Sequence, residues 1–261
     1  GSEVCIRDST RGASNTAIGW GALTANTTGN YNVALGGFTL YSNTTGEGNT
    51  GIGNAALQAN TTGDGNTALG QSTLTANTTG DSNTAIGQLA LQTNTTGSNN
   101  VALGAGTLQS NVSGNRNIAI GQQSLKNNTT GANNIAIGFR ALYANTTGDN
   151  SVAIGDSSLI ANTTGTGNTG VGYQTLYSNT TGSNNVALGY WSLRSNITGD
   201  WNTAVGASAL FSNTAGYSNS AFGYQTLTAN TTGNSNSAFG YNALKGNTTG
   251  IQNTAIGYKA M

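Results

Sequence analysis

The chain has 261 residues, of which only 6% are charged and 40 are glycine, and its formal net charge is zero. An ordinary globular fold is disfavoured, because about a quarter of the residues in soluble chains are charged. Disorder is also disfavoured, because disordered chains are usually rich in net charge and proline, and this chain has neither. No segment approaches the roughly 20 apolar residues of a membrane-spanning helix, so we expect no membrane insertion.

Residues 1–14 precede the regular part of the chain and are interpreted as a lead-in. Gly1 and Ser2 are typical of a remnant of cloning. Cys5 is the single cysteine, so a framework of intrachain disulfides is excluded. The remaining residues, 15–261, are predicted to form a single solenoid domain.

Residues 15–261 are a tandem repeat with a period of 17 residues and no insertion or deletion. There are fourteen complete copies and one cut copy, with the consensus N-T-A-I-G-x-x-A-L-x-A-N-T-T-G-x-x, whose positions we number as columns 1 to 17. So strict a period predicts one coil per repeat, with each coil hydrogen-bonded to the next. The predicted fold is therefore an all-β parallel solenoid.

Within one repeat, columns 1 to 4 alternate in side-chain direction and favour β-branched residues, which predicts a short strand. Column 4 is always a large apolar residue and is predicted to face the core, and the leucine of column 9 is predicted to join it from a second short strand. The invariant glycines of columns 5 and 15 predict sharp turns or close backbone approach. The invariant asparagine of column 12 predicts turn bonding and a stacked amide ladder. The predicted core includes Ile18, Leu23, Leu35, Leu40, Ile120, Leu125, Ile154 and Leu159.

The predicted core is thin for a free-standing coil. Burial of two large apolar side chains per repeat contributes little free energy compared with the entropic cost of ordering seventeen residues. This balance predicts that one apolar column faces another chain. We therefore expect a side-by-side homo-oligomer, with a homotrimer favoured.

The block S/N-V/T-A-I-G, as in residues 151–155, resembles the head repeat of trimeric autotransporter adhesins of the YadA-like type. The longer form N-T-A-I-G-x-x-A-L-x-x-N-T-T-G is similar to repeats in phage and prophage tail fibres and in large bacterial surface proteins. The resemblance implies a left-handed parallel β-roll, assembled as a trimer, that attaches a cell or virion to a surface. This chain departs from the adhesin head in its longer period and its constant N-T-T-G turn.

Two rows of side chains are candidate binding surfaces. An aromatic edge at column 6 could contact sugar rings or another protein, although such a ladder could also serve only to stabilise the coil. It comprises Tyr173, Tyr190, Tyr224, Tyr241 and Tyr258. A threonine row at column 13 resembles the hydroxyl and methyl grid of ice-binding proteins, or it is simply part of the turn and strand structure. It comprises Thr27, Thr44, Thr61, Thr78, Thr95, Thr129, Thr146, Thr163, Thr180, Thr231 and Thr248.

The composition disfavours catalysis, metal binding and nucleic-acid binding. The chain has no histidine, so its one cysteine lacks the partner that a nucleophilic pair requires. Most acidic residues fall in column 16, which tolerates many residue types and is interpreted as a solvated turn. The Asp and Gly-Gly turns of calcium-binding β-rolls are absent, and we expect no metal and no cofactor. With zero net charge and no basic stripe, we expect no nucleic-acid partner.

These patterns favour a non-enzymatic structural and adhesive segment of a cell-surface adhesin or a phage or prophage tail fibre. The expected partners are further copies of the chain and a cell-surface glycan, protein or other surface. The expected location is extracellular, on a cell surface or on a virion tail fibre. The first alternative is an ice-binding solenoid that uses the threonine rows, and the second is a pure spacer.

Overall fold

The computed structural model of the protein describes residues 12–261, which fall into two compact units that divide after Ala132. Every regular element is a three-residue β-strand at columns 2 to 4 of one repeat, and no helix occurs among the described residues. Each unit is an all-β parallel solenoid with one turn per 17-residue repeat, as the sequence predicts. Residues 1–11, including Cys5, lie outside this description, and the single solenoid domain over residues 15–261 stays a prediction.

Within residues 12–132 the first unit contains seven strands, which pair in parallel and in chain order. Paired residues are one repeat apart, as in Ala17 with Ala34. Every side chain therefore lies beside its counterpart in the next turn, and each column becomes a row. The strands are β1 (Thr16–Ile18), β2 (Val33–Leu35), β3 (Thr50–Ile52), β4 (Thr67–Leu69), β5 (Thr84–Ile86), β6 (Val101–Leu103) and β7 (Ile118–Ile120).

The second unit, Asn133–Met261, contains eight strands with the same arrangement. They pair in parallel and in chain order with the same offset of one repeat. The columns therefore form rows in this unit too. The strands are β8 (Ile135–Ile137), β9 (Val152–Ile154), β10 (Thr169–Val171), β11 (Val186–Leu188), β12 (Thr203–Val205), β13 (Ser220–Phe222), β14 (Ser237–Phe239) and β15 (Thr254–Ile256).

The interior of a complete turn contains one leucine, small residues and two asparagines, except that Ser151 replaces one asparagine in its turn. The leucines of column 9 fill the core, and Leu23, Leu40, Leu125 and Leu159 are all buried. The small residues of columns 3 and 8 pack beside them. Space at column 3 is tight, because a Cβ atom added to Gly51 would lie 2.6 Å from Cγ2 of Thr39. The strand therefore turns its alanine inward and leaves no room for a larger side chain.

Column 4 faces outward, contrary to the expectation from the sequence. Ile18, Leu35 and Ile154 are 38%, 36% and 37% exposed, and Ile120 is half-buried. Successive strand residues point to opposite faces, so the inward alanine of column 3 forces its neighbour out. The placement of these four residues in the interior of the chain is therefore wrong.

The segment that carries the core leucine is not a second strand. Leu40 has a φ of 51°, in the left-handed region, and the other column-9 leucines have φ values close to it. For a residue other than glycine this conformation costs roughly 1–2 kcal/mol. It is held by bonds between turns, since the Leu40 N–H donates to the Ala56 carbonyl at 3.0 Å. A left-handed residue at column 9 thus stands where the sequence predicted a second strand.

Two buried asparagine ladders meet at the glycine of column 15. In the third turn, the side-chain Nδ2 atoms of Asn49 and Asn60 donate to the Gly63 carbonyl at 2.8 and 2.9 Å. Each also donates to the previous turn, from Asn49 to Oδ1 of Asn32 (3.2 Å) and from Asn60 to Oδ1 of Asn43 (2.8 Å). The ladder predicted at column 12 is confirmed, and column 1, which is asparagine in every copy except Ser151, forms a second one.

The invariant glycines are explained by close approach between successive turns. A Cβ atom on Gly63 would lie 2.5 Å from the Gly80 carbonyl oxygen. At column 5, Gly36 has a φ of +128°, and its Cβ atom would lie 2.8 Å from the Gly53 carbonyl. Both glycine columns therefore allow neighbouring backbones to approach, as the sequence predicts.

The Asn-Thr-Thr sequons belong to this interior. Asn43 is fully buried, and its Nδ2 donates to the Gly46 carbonyl three residues later at 3.0 Å. This bond is the turn bonding that the sequence predicts for the asparagine of column 12. Attachment of a glycan would require the asparagine to leave the interior.

We expect Asn77→Asp to lower the free energy of unfolding by about 3 kcal/mol or more at pH 7. The substitution buries a carboxylate in the ladder and removes the hydrogen bonds that the amide of Asn77 donates. Burial raises the pKa of the new carboxyl above the ordinary value of about 3.9, so stability falls as pH rises through that value. The measurement is denaturant unfolding at pH 7 and pH 4, each relative to wild type. Asn99→Asp, at an exposed position, is the control, and an equal loss in both variants would contradict the structural role of the ladder.

Candidate attachment surfaces

The outward residues of column 4 form an apolar ridge in each unit, which we call the column-four ridge. Every turn contributes one aliphatic or aromatic side chain, because this column is always Ile, Leu, Val or Phe. Neighbouring turns are about 4.8 Å apart, so the ridge is continuous within a unit. In the second unit the rings of Phe222 and Phe239 stack at 5.0 Å with planes 6° apart. No charged residue occurs at columns 2 to 4 in any copy.

The tyrosines predicted at column 6 come together in two stacks within the second unit. Tyr173 and Tyr190 stack with centroids 5.4 Å apart. Tyr224, Tyr241 and Tyr258 form the other stack, with centroid distances of 5.2 and 5.4 Å. Tyr241 has a ring on either side and is still 45% exposed, so its ring edge lies at the surface. The structure thus forms the aromatic edge from all five of its predicted members.

Sequence reasoning did not connect this edge with columns 7 and 10. Trp191 of column 7 lies 4.4 Å from the ring of Tyr190 and 5.9 Å from that of Phe211 in column 10. Trp191 has a φ of 59°, and this left-handed conformation belongs to the part of the turn that joins columns 6 and 10. The aromatic residues of column 10 were visible in the sequence, but their proximity to column 6 depends on that backbone.

The same columns are mostly polar in the middle of the first unit. The side chain of Gln88 donates to that of Gln71 at 3.3 Å in column 6. In column 10, Gln109 donates to Gln92 at 2.9 Å. Amide pairs thus occupy positions that aromatic rings occupy in the second unit, and they provide matched control positions within one chain.

The column-13 threonines are partly engaged with the backbone. Their hydroxyls donate to the column-13 carbonyl of the next turn, as from Thr44 to Thr61 and from Thr61 to Thr78, both at 3.0 Å. Most of these side chains are half-buried, whereas the threonines of column 14, such as Thr62 and Thr79, are exposed. The more accessible threonine row is therefore column 14.

The acidic residues of column 16 bond to exposed backbone between turns. Oδ1 of Asp64 accepts from the Glu47 N–H at 2.7 Å, and Oδ1 of Asp81 accepts from the Asp64 N–H at 2.8 Å. All three residues are exposed, which agrees with the predicted solvated turn.

Over residues 12–261 no group of three or more acidic, histidine or cysteine side chains is arranged to hold a metal ion. In the same range there is no helix with the length and hydropathy to cross a membrane.

No family model matches the sequence, and no curated protein is significantly similar to it. The functional proposal therefore depends on the surfaces described above.

Proposed function

We propose that the chain is a non-enzymatic structural and adhesive segment of a cell-surface adhesin or a phage or prophage tail fibre. The observation that carries the proposal is that every turn presents an outward apolar residue on a scaffold with an amide-paired interior. Contiguous exposed apolar surface is characteristic of interaction sites. The polar ladders stabilise each turn from within, so the outer rows are available for contacts with other molecules.

The column-four ridge is the proposed contact between identical chains, in a homotrimer of left-handed β-rolls. Ile52 and Ile86 are 37% and 39% exposed in the single chain, which leaves area to bury. The absence of charge at columns 2 to 4 suits the centre of an interface, where charged residues are depleted. Symmetry about an axis parallel to the direction in which the turns stack would bring the same column of each chain together. The adhesin resemblance also favours three chains.

Replacing Ile52 and Ile86 together by Glu should dissociate the trimer, because it places charges in the proposed apolar interface. Both side chains are already about two-fifths exposed, so we expect the turns to remain folded. Sedimentation should give three times the 26.1 kDa chain mass for wild type and the single-chain mass for the variant. Gln71→Glu with Gln88→Glu, at column 6, adds the same charge and should remain trimeric. A wild-type monomer would contradict the proposed assembly.

The aromatic edge is the proposed contact with the target surface. Tyrosine and tryptophan are enriched among the residues that dominate binding energy at interfaces. Tyr224 and Tyr241 are 46% and 45% exposed and stack on each other. A rigid stack loses little conformational entropy when it binds. We therefore assign attachment to the second unit.

Replacing Tyr224 and Tyr241 together by Ser should weaken binding to target cells or glycans by about tenfold or more, as expected when interface hot spots are truncated. The measurement is a binding isotherm on immobilised cells and on a glycan array. Gln71→Ser with Gln88→Ser changes two neighbouring turns of the same column in the first unit and should bind normally. Unchanged binding by the tyrosine variant would favour the spacer function instead.

Ice binding is the second candidate, favoured by the exposed threonines of column 14. These side chains recur on successive turns about 4.8 Å apart, which gives a regular row of hydroxyl and methyl groups. If ice is the target, the protein will show thermal hysteresis, and Thr62→Tyr with Thr79→Tyr will abolish it by breaking the row. The tyrosine variant at column 6 should keep the activity. An absence of hysteresis and ice shaping in wild type would rule this function out.

A further inference from the structure

Charged side chains are segregated on the turns. Of the six acidic residues among residues 12–261, five lie at column 16 and one at column 6. All four cations of the second unit lie at columns 7 and 10, beside the aromatic edge. The acidic residues are Glu47, Asp64, Asp81, Asp149, Asp156 and Asp200, and the cations of the second unit are Arg140, Arg194, Lys245 and Lys259. The aromatic edge of this unit therefore carries four cations and one acidic residue, Asp156 at column 6, so its net charge is positive.

Arg194 lies at the centre of a group of aromatic rings. Its guanidinium carbon is 5.0 Å from the centroid of the Tyr177 ring, 5.6 Å from that of Trp191 and 5.9 Å from that of Phe211. Its Nε donates to Oε1 of Gln174 at 3.3 Å, and the same oxygen accepts from Nε1 of Trp191 at 3.0 Å. Rings and a neutral amide orient the guanidinium without neutralising its charge. Such an arrangement attracts a carboxylate, which pairs with guanidinium through charge-assisted hydrogen bonds.

The lysines of this edge have similar surroundings. Nζ of Lys259 lies 5.1 Å from the Tyr258 ring centroid, and Nζ of Lys245 donates to Oε1 of Gln225 at 2.9 Å. Both lysines are exposed. Cations at columns 7 and 10 therefore recur along the edge beside tyrosine rings and neutral amides.

We infer that this basic aromatic edge binds a linear polysaccharide that carries carboxylates, a uronic-acid polymer. The inference rests on the proposed attachment function and names its ligand class. The amide of Gln225 and the tyrosine hydroxyls offer hydrogen-bonding groups that match sugar hydroxyls. Turns about 4.8 Å apart also approximate the length of one sugar in an extended β-1,4-linked chain, so successive sugars can meet successive turns.

The tyrosine stacks favour a sugar polymer over a nucleic acid. Single-stranded nucleic acids bind by stacking bases on open aromatic faces. Tyr241 has Tyr224 on one face and Tyr258 on the other, with planes 19° and 16° from its own. Its faces are therefore occupied, and its exposed edge suits contacts with hydroxyl groups.

The test compares two probes that differ only in the carboxylates, a β-1,4-mannuronate hexasaccharide and β-1,4-mannohexaose. We expect wild type to bind the acidic probe about tenfold more tightly at low ionic strength, and salt should reduce the difference by screening. Arg194→Gln should lower affinity for the acidic probe about tenfold, as expected for loss of a charged pair in an interface. Arg116→Gln, at column 17, makes the same charge change away from the edge and should bind like wild type.

The outcomes separate this inference from the proposed function. If both probes bind equally and Arg194→Gln alters neither, while Tyr224→Ser with Tyr241→Ser weakens both, the edge binds sugars but carboxylate recognition is wrong. If neither probe binds while whole cells still bind through the tyrosines, the polysaccharide is wrong and attachment stands. If Arg194→Gln instead abolishes a salt-sensitive association between chains, the edge contacts a second copy and the inference fails. Thermal unfolding of each variant verifies that its turns are intact.

Discussion

In every complete repeat except the one that begins at Ser151, the glycine carbonyl of column 15 accepts hydrogen bonds from two asparagine amides, and the arrangement of the turn depends on that pairing. The amides of Asn49 and Asn60 both reach the Gly63 carbonyl while bonding to the turn before. A side chain on that glycine would collide with the next turn. Hydrogen-bonded asparagine side chains thus fill much of the space that apolar side chains occupy in the cores of other folds. Buried amides are tolerated because their bonding partners are supplied in every turn.

This polar interior explains why the apolar residues lie outside. Once two asparagines and one leucine occupy the inside of a turn, only alanine or a similarly small residue fits at column 3. The strand must then point Ile18 and its counterparts outward. A row of exposed aliphatic side chains is a liability for a free chain and an advantage for one that pairs with copies of itself. The proposed trimer and the unusual core thus have one physical origin.

Much of the fold could be predicted from the sequence, because a constant period leaves few alternatives. Strand position, coil length, both glycine columns and the column-12 ladder followed from residue type and spacing. The direction of column 4 did not, because Ala17 and Ile18 are both apolar and size alone favoured isoleucine inside. The conformation of Leu40 was also hidden, because a left-handed leucine is unfavourable unless neighbouring turns hold it. That backbone brings Trp191 and Arg194 to the aromatic edge, so the sequence revealed the tyrosines but not the basic group beside them.

The fixed offset between paired strands has a consequence for how such a gene can change. Within a unit, every turn contacts its neighbours through the same columns, so one internal turn can be exchanged for another. Unequal recombination that removes or duplicates a whole repeat would preserve the reading frame and restore every contact across the junction. The insertion or deletion of a single residue would instead shift the register of the ladders from that point onward. Selection can therefore adjust the length of a unit in whole turns of about 4.8 Å, while the surface rows of that unit keep their order.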